Sequence, residues 1–382
     1  MILCDYSQIM HAAIGNELGR SKATQVDEGF LRHLILNHLT GLNTRFRGQF
    51  GTMLLVMDGK GSPSWRKQKY PVYKAHRKKK RDASIIDWKQ IFEITNSIQD
   101  DLVSSGIYPM IQESDMEADD VIAFLSHHAL LNLQQSVLIL SSDKDFRQLQ
   151  YLNKNFLVPK LYQFSPILST FLEEADPEQG LFQLVMEGDK GDGVPNVLSP
   201  IDTFVSGGKQ RPLVKSRLDE LHDAFAVNQI TEGSRVVGLA VRPTKRSAYV
   251  QRVTENDELI NLCGHGIEDS ELWKARENVV NKFEILRNSF PFSGGTAVLS
   301  FLGKHRLVAL SARVDSILPS REWFVDLPNG YFSEKKRKPA DKPQKIQHER
   351  KMSDSKLSSH LDSLLSTTPN QAKEVSLDSF FL

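Results

Sequence analysis

Acidic side chains able to bind hard divalent cations fall in five short clusters between residues 5 and 192. They are Asp5, Asp58, Glu117 with Asp119 and Asp120, Asp143 with Asp145, and Asp189 with Asp192. Carboxylates brought together repel one another unless cations neutralise them, and their oxygens suit Mg²⁺ or Mn²⁺. The pattern therefore predicts a site at which two metal ions could assist phosphodiester hydrolysis.

Three of these clusters come directly after short apolar runs. The runs are residues 2–4 before Asp5, residues 53–57 before Asp58, and residues 137–142 before Asp143. Continuous apolar runs are typical of strands buried on both faces. Apolar residues three and four apart at 30–39 and 121–129 predict helices between them. We therefore expect an α/β fold with a mostly parallel central sheet and flanking helices, whose ligands bind at the carboxyl ends of the strands.

Three of the five clusters also have a plainer interpretation. Glu117 and Asp120 lie three apart at the start of a predicted helix, which is equally typical of helix capping. The D-x-D at 143–145 would point both carboxylates to one side of an extended segment, but it also suits a surface turn. The glycine-rich segment 188–193 could be an ordinary loop. The occurrence of all five clusters in one chain favours the metal site.

A basic segment lies between the second and third acidic clusters. From Lys60 to Arg81 there are ten Lys or Arg and no acid, interleaved with Trp65, Tyr70 and Tyr73. Neutralising phosphates and stacking on bases require these residue types, although a charge run is more often a solvated face. We expect the segment to fold over a nucleic acid and to become ordered when the substrate is present.

Particular roles follow for the cations of this segment. Arg66 and Lys67 are candidate phosphate clamps. Lys74 and Arg77, next to Tyr73, are candidates to approach the reacting phosphate and stabilise its developing charge. No Ser/His/Asp, Cys/His or Walker-type pattern stands out, which argues against covalent catalysis and ATP hydrolysis. The histidine pair at 127–128 is expected at the surface rather than on a metal.

Length and composition indicate a globular protein of more than one unit. The chain has 382 residues, 40% of them hydrophobic and 25% charged, and a formal net charge of +1. Its two cysteines, Cys4 and Cys263, cannot form a disulfide framework. No signal peptide or membrane span is apparent in the sequence. We therefore expect a cytoplasmic protein, in the host cytoplasm if it is viral.

Composition divides the chain into four regions. Residues 1–160 are expected to form the nuclease-like domain, with the basic segment as an arch at 60–90, and residues 161–332 a helical region that binds DNA and completes the site. Residues 333–370 are polar and predicted to be a disordered linker. Leucines at 357, 361, 364 and 365 could form a short partner-binding helix, but a transient solvated helix is the favoured interpretation. Residues 371–382 are expected to form a tail that ends in the apolar residues Phe380, Phe381 and Leu382.

The motifs together resemble the flap endonuclease and 5′-3′ exonuclease family, including its phage ribonucleases H. The segments that carry this resemblance are 2–9, 32–37, 117–123, 141–149 and 188–192. The resemblance covers roughly residues 1 to 320. It implies an enzyme that removes RNA primers and adjacent DNA from the 5′ end of lagging-strand fragments and that cuts flapped or forked junctions.

The resemblance also implies a site, carried over motif by motif. A first Mg²⁺ would be surrounded by Asp5, Asp58, Glu117, Asp119 and Asp143. A second Mg²⁺ would be surrounded by Asp145, Asp189 and Asp192. Mn²⁺ could substitute for either ion. Asp120 would belong to the same cluster. Tyr73, Lys74 and Arg77 match the arch, in which the family has a catalytic lysine.

Two further binding regions are expected outside the acidic clusters. A second glycine hairpin that grips duplex DNA in many family members is missing after Asp192, so Lys209, Arg211 and Lys215 are candidates for that contact. The tail residues Leu377, Phe380, Phe381 and Leu382 resemble the segments by which phage replication enzymes bind the sliding clamp; folding back on the protein's own domain is the alternative. A monomer is expected, with a single-stranded DNA-binding protein as a further partner.

Two rival functions stay open from the sequence. A PIN-like ribonuclease would share acids on a parallel sheet, but the long basic segment argues against it. A clamp-tethered scaffold that binds DNA junctions with little catalysis would need no complete set of acids.

Overall fold

The apolar runs predicted as strands lie side by side in one six-stranded sheet. Its strands are β1 (Ile2–Asp5), β2 (Met53–Met57), β3 (Met110–Gln112), β4 (Val137–Leu140), β5 (Leu161–Ser165) and β6 (Thr170–Leu172). Their order is β3-β2-β1-β4-β5-β6, and all neighbours are parallel except β5 and β6. The expected α/β fold with a mostly parallel sheet is confirmed.

The structure, a computed structural model, describes residues 1–21, 25–60, 63–155, 159–230, 236–241, 250–262 and 271–325. The predicted linker at 333–370, its leucine-rich segment and the tail at 371–382 lie outside the described residues. Cys263 also lies outside them, and Cys4 is a buried free thiol. No helix within the described ranges is long and apolar enough to span a bilayer.

Helices cover both faces of the sheet. In chain order they are α1 (Tyr6–Ser21), α2 (Glu28–Phe50), α3 (Trp65–Lys69), α4 (Ala75–Asp82), α5 (Trp88–Ser105), α6 (Ala118–His127), α7 (Pro177–Glu187), α8 (Lys215–Ala224), α9 (Val250–Ile260), α10 (Glu271–Ser289), α11 (Gly295–Lys304) and α12 (Val314–Ile317). A π-helical turn, His128–Asn132, extends α6, and 3₁₀ helices span Lys144–Asn155 and Val308–Arg313. Strands β7 (Phe225–Ile230) and β8 (Val236–Val241) pair separately as an antiparallel ribbon.

Side chains of β1 alternate between two cores. Ile2 and Cys4 belong to the core formed with α1, α2, α5 and α11, whereas Leu3 belongs to the core formed with α6, α7, α9 and α10. Successive strand residues point to opposite faces, so both faces of a sheet covered in this way require apolar residues. This explains why the runs that predicted strands are continuous rather than alternating.

The predicted domain boundary at residue 160 cuts through this sheet. Strands β5 and β6 lie beyond it, yet β5 pairs with β4 along four residues. Phe283 and Trp323 also pack into the same core as Leu3. The expectation of a helical region beginning at residue 161 is therefore corrected: described residues from 161 to 325 include strands of the sheet and share its cores.

The two histidines expected at the surface differ in burial. His127 is only 4% exposed, and its Nε2 lies 3.2 Å from the Tyr151 hydroxyl, so its predicted surface position is wrong. His128 is half-buried, with Nε2 2.8 Å from Glu284 Oε1. Both side chains have partners in the packed structure, and neither lines the cavity described next.

Candidate active site

The acids that end β1 and follow β2 are held by neighbouring hydroxyl and amide groups. Asp5 accepts a hydrogen bond from the Ser141 hydroxyl at 3.1 Å. Asp58 accepts one from the Ser7 hydroxyl and one from the Ala118 amide, both at 2.8 Å. The last bond joins Asp58 to the first turn of α6, so three elements converge at this edge of the sheet.

The D-x-D segment is a turn rather than an extended segment. The Asp145 amide donates to Asp143 Oδ1 at 2.9 Å, and the Asp143 amide donates to the Ser141 hydroxyl at 3.1 Å. Bonds of this type bend the backbone locally, and here they begin the 3₁₀ helix Lys144–Asn155. The predicted extended geometry is wrong, but both carboxylates still line the same cavity as Asp5.

The glycine-rich loop presents its acids through a tight turn. Asp189 Oδ1 accepts from the amides of Gly191 at 2.6 Å and Asp192 at 3.1 Å, while Asp189 Oδ2 lies 2.8 Å from Lys144 Nζ. Gly188 begins the loop with φ of 74°, where a Cβ would lie 2.4 Å from a backbone oxygen. Glycine is therefore required at this position, because any side chain would collide with the backbone.

The basic segment closes onto the acids rather than standing away from them. Lys74 Nζ lies 3.0 Å from Glu117 Oε1, and Arg77 Nη2 lies 2.5 Å from Asp192 Oδ1. The Tyr73 hydroxyl lies 3.0 Å from Glu117 Oε2 and 2.8 Å from Asp192 Oδ2, and it donates to one of them. The Lys74 amide also donates to the Asp192 carbonyl at 2.8 Å. The described part of the segment is thus folded and attached to the site.

Tyr73 does not offer a face for base stacking in this structure. It is only 3% exposed, and it packs in the core with Leu3. Its predicted nucleic-acid contact is corrected to a positioning role, since its hydroxyl ties the glycine-rich loop to Glu117. Glu117 itself precedes α6 without capping it through its side chain, so the capping interpretation does not apply to this residue.

Arg66 and Asp120 form a buried pair, and Arg66 Nη1 also lies 3.5 Å from Glu117 Oε2. Arg66 donates to both oxygens of Asp120 at 2.7 and 2.8 Å and to the Leu259 carbonyl at 2.9 Å. The Trp65 indole donates to Asp120 at 3.1 Å. Arg66 is only 1% exposed, and Asp120 does not line the cavity. The expectations that Arg66 clamps a phosphate and that Asp120 binds metal are therefore corrected: each neutralises the other.

Replacing Arg66 with Met should reduce the free energy of unfolding by about 3–5 kcal/mol, because the change leaves Asp120 charged, buried and without its main partner. Denaturant unfolding followed by circular dichroism measures the loss. The double variant Arg66→Met with Asp120→Leu should regain much of it, since no buried charge is then unpaired. A single variant as stable as the intact protein would contradict this assignment.

Acids without a close cation have raised pKa values. Burial, with the neighbouring Asp58 and Asp143 charges, raises the pKa of Asp5 to about 7. Burial likewise raises the pKa of Asp58, and burial with neighbouring acids holds the pKa values of Asp119 and Asp145 well above their ordinary range. These carboxylates repel one another, so a cation placed among them would favour their charged forms.

Acids that face a lysine or arginine behave in the opposite way. Burial acts to raise the pKa of Glu117, but Lys74 and Arg66 outweigh it and lower the value. At Asp189 the same balance is set by Lys144, which also lowers the pKa. The protein's own cations therefore neutralise only part of the cluster.

The donor set fits hard divalent cations. All eight acids other than Asp120 line one cavity of about 1210 Å³: Asp5, Asp58, Glu117, Asp119, Asp143, Asp145, Asp189 and Asp192. The Oδ1 atom of Asp145 is buried without a hydrogen-bond partner. Within the described ranges, however, no three His, Cys, Asp or Glu side chains are drawn together around a single point as they would be to hold a metal ion.

Without divalent cations, the stability gap between the intact protein and Asp5→Asn should depend on pH. Folded Asp5 keeps its proton up to about pH 7, whereas the unfolded carboxyl loses it near pH 4. The unfolded state then binds fewer protons, so the intact protein loses stability as pH rises through this window, and the variant lacks this loss. Chemical unfolding in EDTA at several pH values measures the gap. A gap that stays constant from pH 4 to 7 would contradict the raised pKa.

Sequence reasoning missed one wall of the cavity. It is lined by polar and cationic residues of α1, α2 and the C-terminal segment, among them His11, Asn16, Asn37, His38, Arg45 and Arg313. Asn37 ends one of the segments that carried the family resemblance, which was the available signal. No sequence pattern points to Arg313.

The remaining predicted nucleic-acid residues do not line the cavity. Lys67 is half-buried on α3. Lys209, Arg211 and Lys215 are exposed on and after the loop that follows the Asp189 segment. Their predicted contacts with nucleic acid stay predictions. Leu377, Phe380, Phe381 and Leu382 lie outside the described residues.

Comparison with known proteins identifies the class. Residues 11–179 match the family model of the 5′-3′ exonuclease N-terminal, resolvase-like domain. Ribonuclease H of Enterobacteria phage T4 is 30% identical over 225 residues, which is 57% of this chain and 70% of the relative. Flap endonuclease Xni of Shewanella pealeana is 31% identical over 176 residues, 42% of this chain and 62% of that protein.

Solved structures of the T5 D15 protein are also similar. One, co-crystallised with metal ions, has a TM-score of 0.46 and 16% identity, covering 73% of this chain and 98% of the other. Another, the T5 D15 flap endonuclease in a pseudo-enzyme–product complex with DNA and metal ions, has a TM-score of 0.47 and 16% identity, covering 74% of this chain and 98% of the other.

The chain belongs to the 5′-3′ exonuclease family and is a nuclease. Within that family it is a 5′-3′ exonuclease and flap endonuclease of the phage T4 ribonuclease H type. Of the interpretations left open by the sequence, this assignment favours the hydrolase over the scaffold with little catalysis.

Proposed function

We propose that this nuclease hydrolyses phosphodiester bonds from the 5′ ends of RNA–DNA hybrids and of flapped or forked DNA, and that it requires divalent cations. The observation that carries the proposal is the set of charged side chains that line the cavity. Eight carboxylates, Lys74 and Arg77 line one cavity at the carboxyl edge of the parallel strands. A phosphodiester held there would meet both the groups that bind cations and the groups that stabilise added negative charge.

The cations we propose are two Mg²⁺ ions, for which Mn²⁺ can substitute. Asp5, Asp58, Glu117, Asp119 and Asp143 would hold the first, and Asp145, Asp189 and Asp192 the second. When bound, they would lower the pKa of an attacking water and stabilise the charge of the phosphate. The raised pKa values of Asp5, Asp119 and Asp145 support this, because carboxylates that repel one another gain most from a cation.

Lys74 and Arg77 would hold the reacting phosphate from the side of the basic segment. Burial acts to lower the pKa of Lys74, but Asp192 and Glu117 outweigh it and keep the value above the ordinary range. The side chain is therefore charged at neutral pH. A substrate phosphate and cations could take over the pairings of Lys74 with Glu117 and of Arg77 with Asp192. No protein nucleophile is needed.

In the cell, we propose, the enzyme removes RNA primers and some adjacent DNA from lagging-strand fragments during phage DNA replication. The ribonuclease H relative and the flap endonuclease relative support the two substrate classes. The tail residues Leu377, Phe380, Phe381 and Leu382 would bind a sliding clamp, and the polar sequence at 333–370 would act as a tether. We propose a monomer in the cytoplasm, with a single-stranded DNA-binding protein as a further partner.

The direction of cleavage tests this proposal. An RNA–DNA hybrid and a DNA flap, each labelled at either the 5′ or the 3′ end of the cleaved strand, are incubated with the protein and Mg²⁺. We expect short 5′-labelled products to appear first, while the 3′-labelled strand shortens stepwise from its far end. Digestion that starts equally from both ends would overturn the proposed 5′ polarity.

A further inference from the structure

The cavity extends beyond the acids into a part of opposite charge. Within the described residues, every acid that lines the cavity belongs to the five acidic clusters. The wall formed by α2 and the C-terminal segment instead carries Arg45 and Arg313. Neither arginine forms an ion pair with any residue that the structure describes. The two guanidinium groups therefore give this part of the cavity positive charge, which is complementary to an anionic strand.

Contacts with neighbouring side chains orient both arginines. The Arg45 guanidinium stacks over the Phe164 ring, 4.3 Å from its centroid, which leaves its N–H edge available for hydrogen bonds. Arg313 donates to Asn37 Oδ1 at 2.5 Å. The side-chain amide of Asn43, on α2, donates to the carbonyls of Ser316 and Leu318, both at 2.8 Å. These hydrogen bonds hold the segment that follows Arg313 against α2. These contacts reduce the side-chain entropy that binding would cost.

The helix face between them is open. Asn37, Gly41 and Arg45 follow one another at intervals of four along α2, so they share a face. Gly41 lies in the middle of a 23-residue helix, where glycine costs about 1 kcal/mol relative to alanine. A Cβ placed on it would meet nothing within 4 Å, so packing does not require glycine there. The open face leaves room for a polymer backbone beside the arginines.

These arginines lie across the acids from Lys74. Tyr73, next to Lys74, packs in the core of the sheet face covered by α6, whereas Phe164, beneath Arg45, packs in the core covered by α2. The acids lie at the sheet edge between these two faces. A strand whose reacting phosphate lies on the acids would thus meet cations on both sides.

We propose that Arg45 and Arg313 form a phosphate-binding subsite for the nucleic-acid strand, one or more nucleotides beyond the reacting phosphate and opposite Lys74 and Arg77. The inference rests on the proposed function and adds to it the path of the strand. It assigns the subsite to backbone phosphate, without base recognition, because guanidinium groups bind phosphate oxygens through paired N–H donors.

Fluorescence anisotropy with a labelled 5′-flap DNA in EDTA, at salt concentrations from 50 to 200 mM, tests the subsite. Arg45→Gln should weaken binding by about tenfold. The double variant Arg45→Gln with Arg313→Gln should lower the slope of log affinity against log salt by about one to two. Arg321→Gln, which removes an exposed arginine outside the cavity, is the matched control and should leave both quantities unchanged. With Mg²⁺, the double variant should raise KM more than it lowers kcat.

Gly41→Gln provides a test that keeps both arginines. It should weaken binding by filling the open face. The melting temperature should stay the same or rise, because glutamine is a better helix former than glycine. Unchanged affinity in Arg45→Gln and Gly41→Gln, or an equal loss in Arg321→Gln, would overturn the subsite. If the intact protein binds but never cleaves, the proposed function fails instead; if it cleaves and the arginine variants bind normally, only the subsite fails.

Discussion

Asp143→Asn should lose at least about 10³-fold in cleavage rate with Mg²⁺ while it still folds and binds flap DNA. The charge of Asp143 is needed where several carboxylates share cations, and metal ions supply several kcal/mol of transition-state stabilisation, of which each ~1.4 kcal/mol is tenfold. The fold should survive, because an asparagine Oδ1 can still accept the hydrogen bond from the Asp145 amide, which Asp143 Oδ1 accepts at 2.9 Å. Steady-state cleavage of a 5′-flap substrate and anisotropy binding measure the two effects.

Asp202→Asn is the matched control for Asp143→Asn. Asp202 is exposed and lies outside the cavity, so its loss should leave the rate unchanged. Cleavage by Asp143→Asn at the rate of the intact protein would remove Asp143 from the site. A large loss in both variants would point to a nonspecific effect of the lost charge.

Lys74→Gln should reduce kcat by about 10²–10³-fold, the usual loss when one positioned donor to a developing negative charge is removed. Lys74 is well placed for this role because its Nζ already lies 3.0 Å from Glu117 and within the cavity. Its backbone adopts the left-handed conformation with φ of 56°, an unusual geometry that is held by the hydrogen bond from the Lys74 backbone N–H to the Asp192 carbonyl. The position of the side chain is therefore fixed by the glycine-rich loop.

Lys79→Gln separates this effect from a general loss of positive charge. Lys79 is exposed on α4, five residues beyond Lys74, and does not line the cavity. We expect its removal to change KM modestly and kcat little. Equal losses of kcat in the two lysine variants would contradict a specific role for Lys74 at the reacting phosphate.

The acids at the strand ends were predictable because their position follows from topology alone. A parallel sheet brings the carboxyl ends of its strands to one edge, so three apolar runs followed by Asp5, Asp58 and Asp143 indicate one site. This prediction does not depend on the order of the strands in the sheet. The acids at 117–119 and 189–192 were found as further acidic clusters, and the occurrence of all five clusters in one chain favoured a shared site.

The different roles of the two neighbouring acids at the start of α6 were harder to predict. Asp119 and Asp120 are adjacent in sequence but point in directions about 100° apart on a helix. Asp119 therefore faces the cavity, while Asp120 faces Arg66 in the interior. The sequence shows that both residues are acidic. Which of them pairs with Arg66 depends on how the segment around Arg66, more than fifty residues away, packs against α6.

Long-range packing also decided the roles of the basic segment and of the second wall. Composition alone favoured exposed clamps and stacking rings, yet Arg66 and Tyr73 are almost fully buried. Arg45 and Arg313 belong to segments far apart in the chain, and only the packing of the C-terminal segment against α2 brings them to one cavity. Periodicity and spacing carry no information about such contacts.

The most direct test of cation-dependent hydrolysis is the rate at which the intact protein cleaves a 5′-tailed RNA–DNA hybrid and a DNA flap as Mg²⁺ is titrated from an EDTA-treated start. The predicted result is no product in EDTA, product at millimolar Mg²⁺, and recovery of activity when Mn²⁺ replaces Mg²⁺. Equal cleavage with and without divalent cations, or tight binding of both substrates with no cleavage at any cation concentration, would contradict the account.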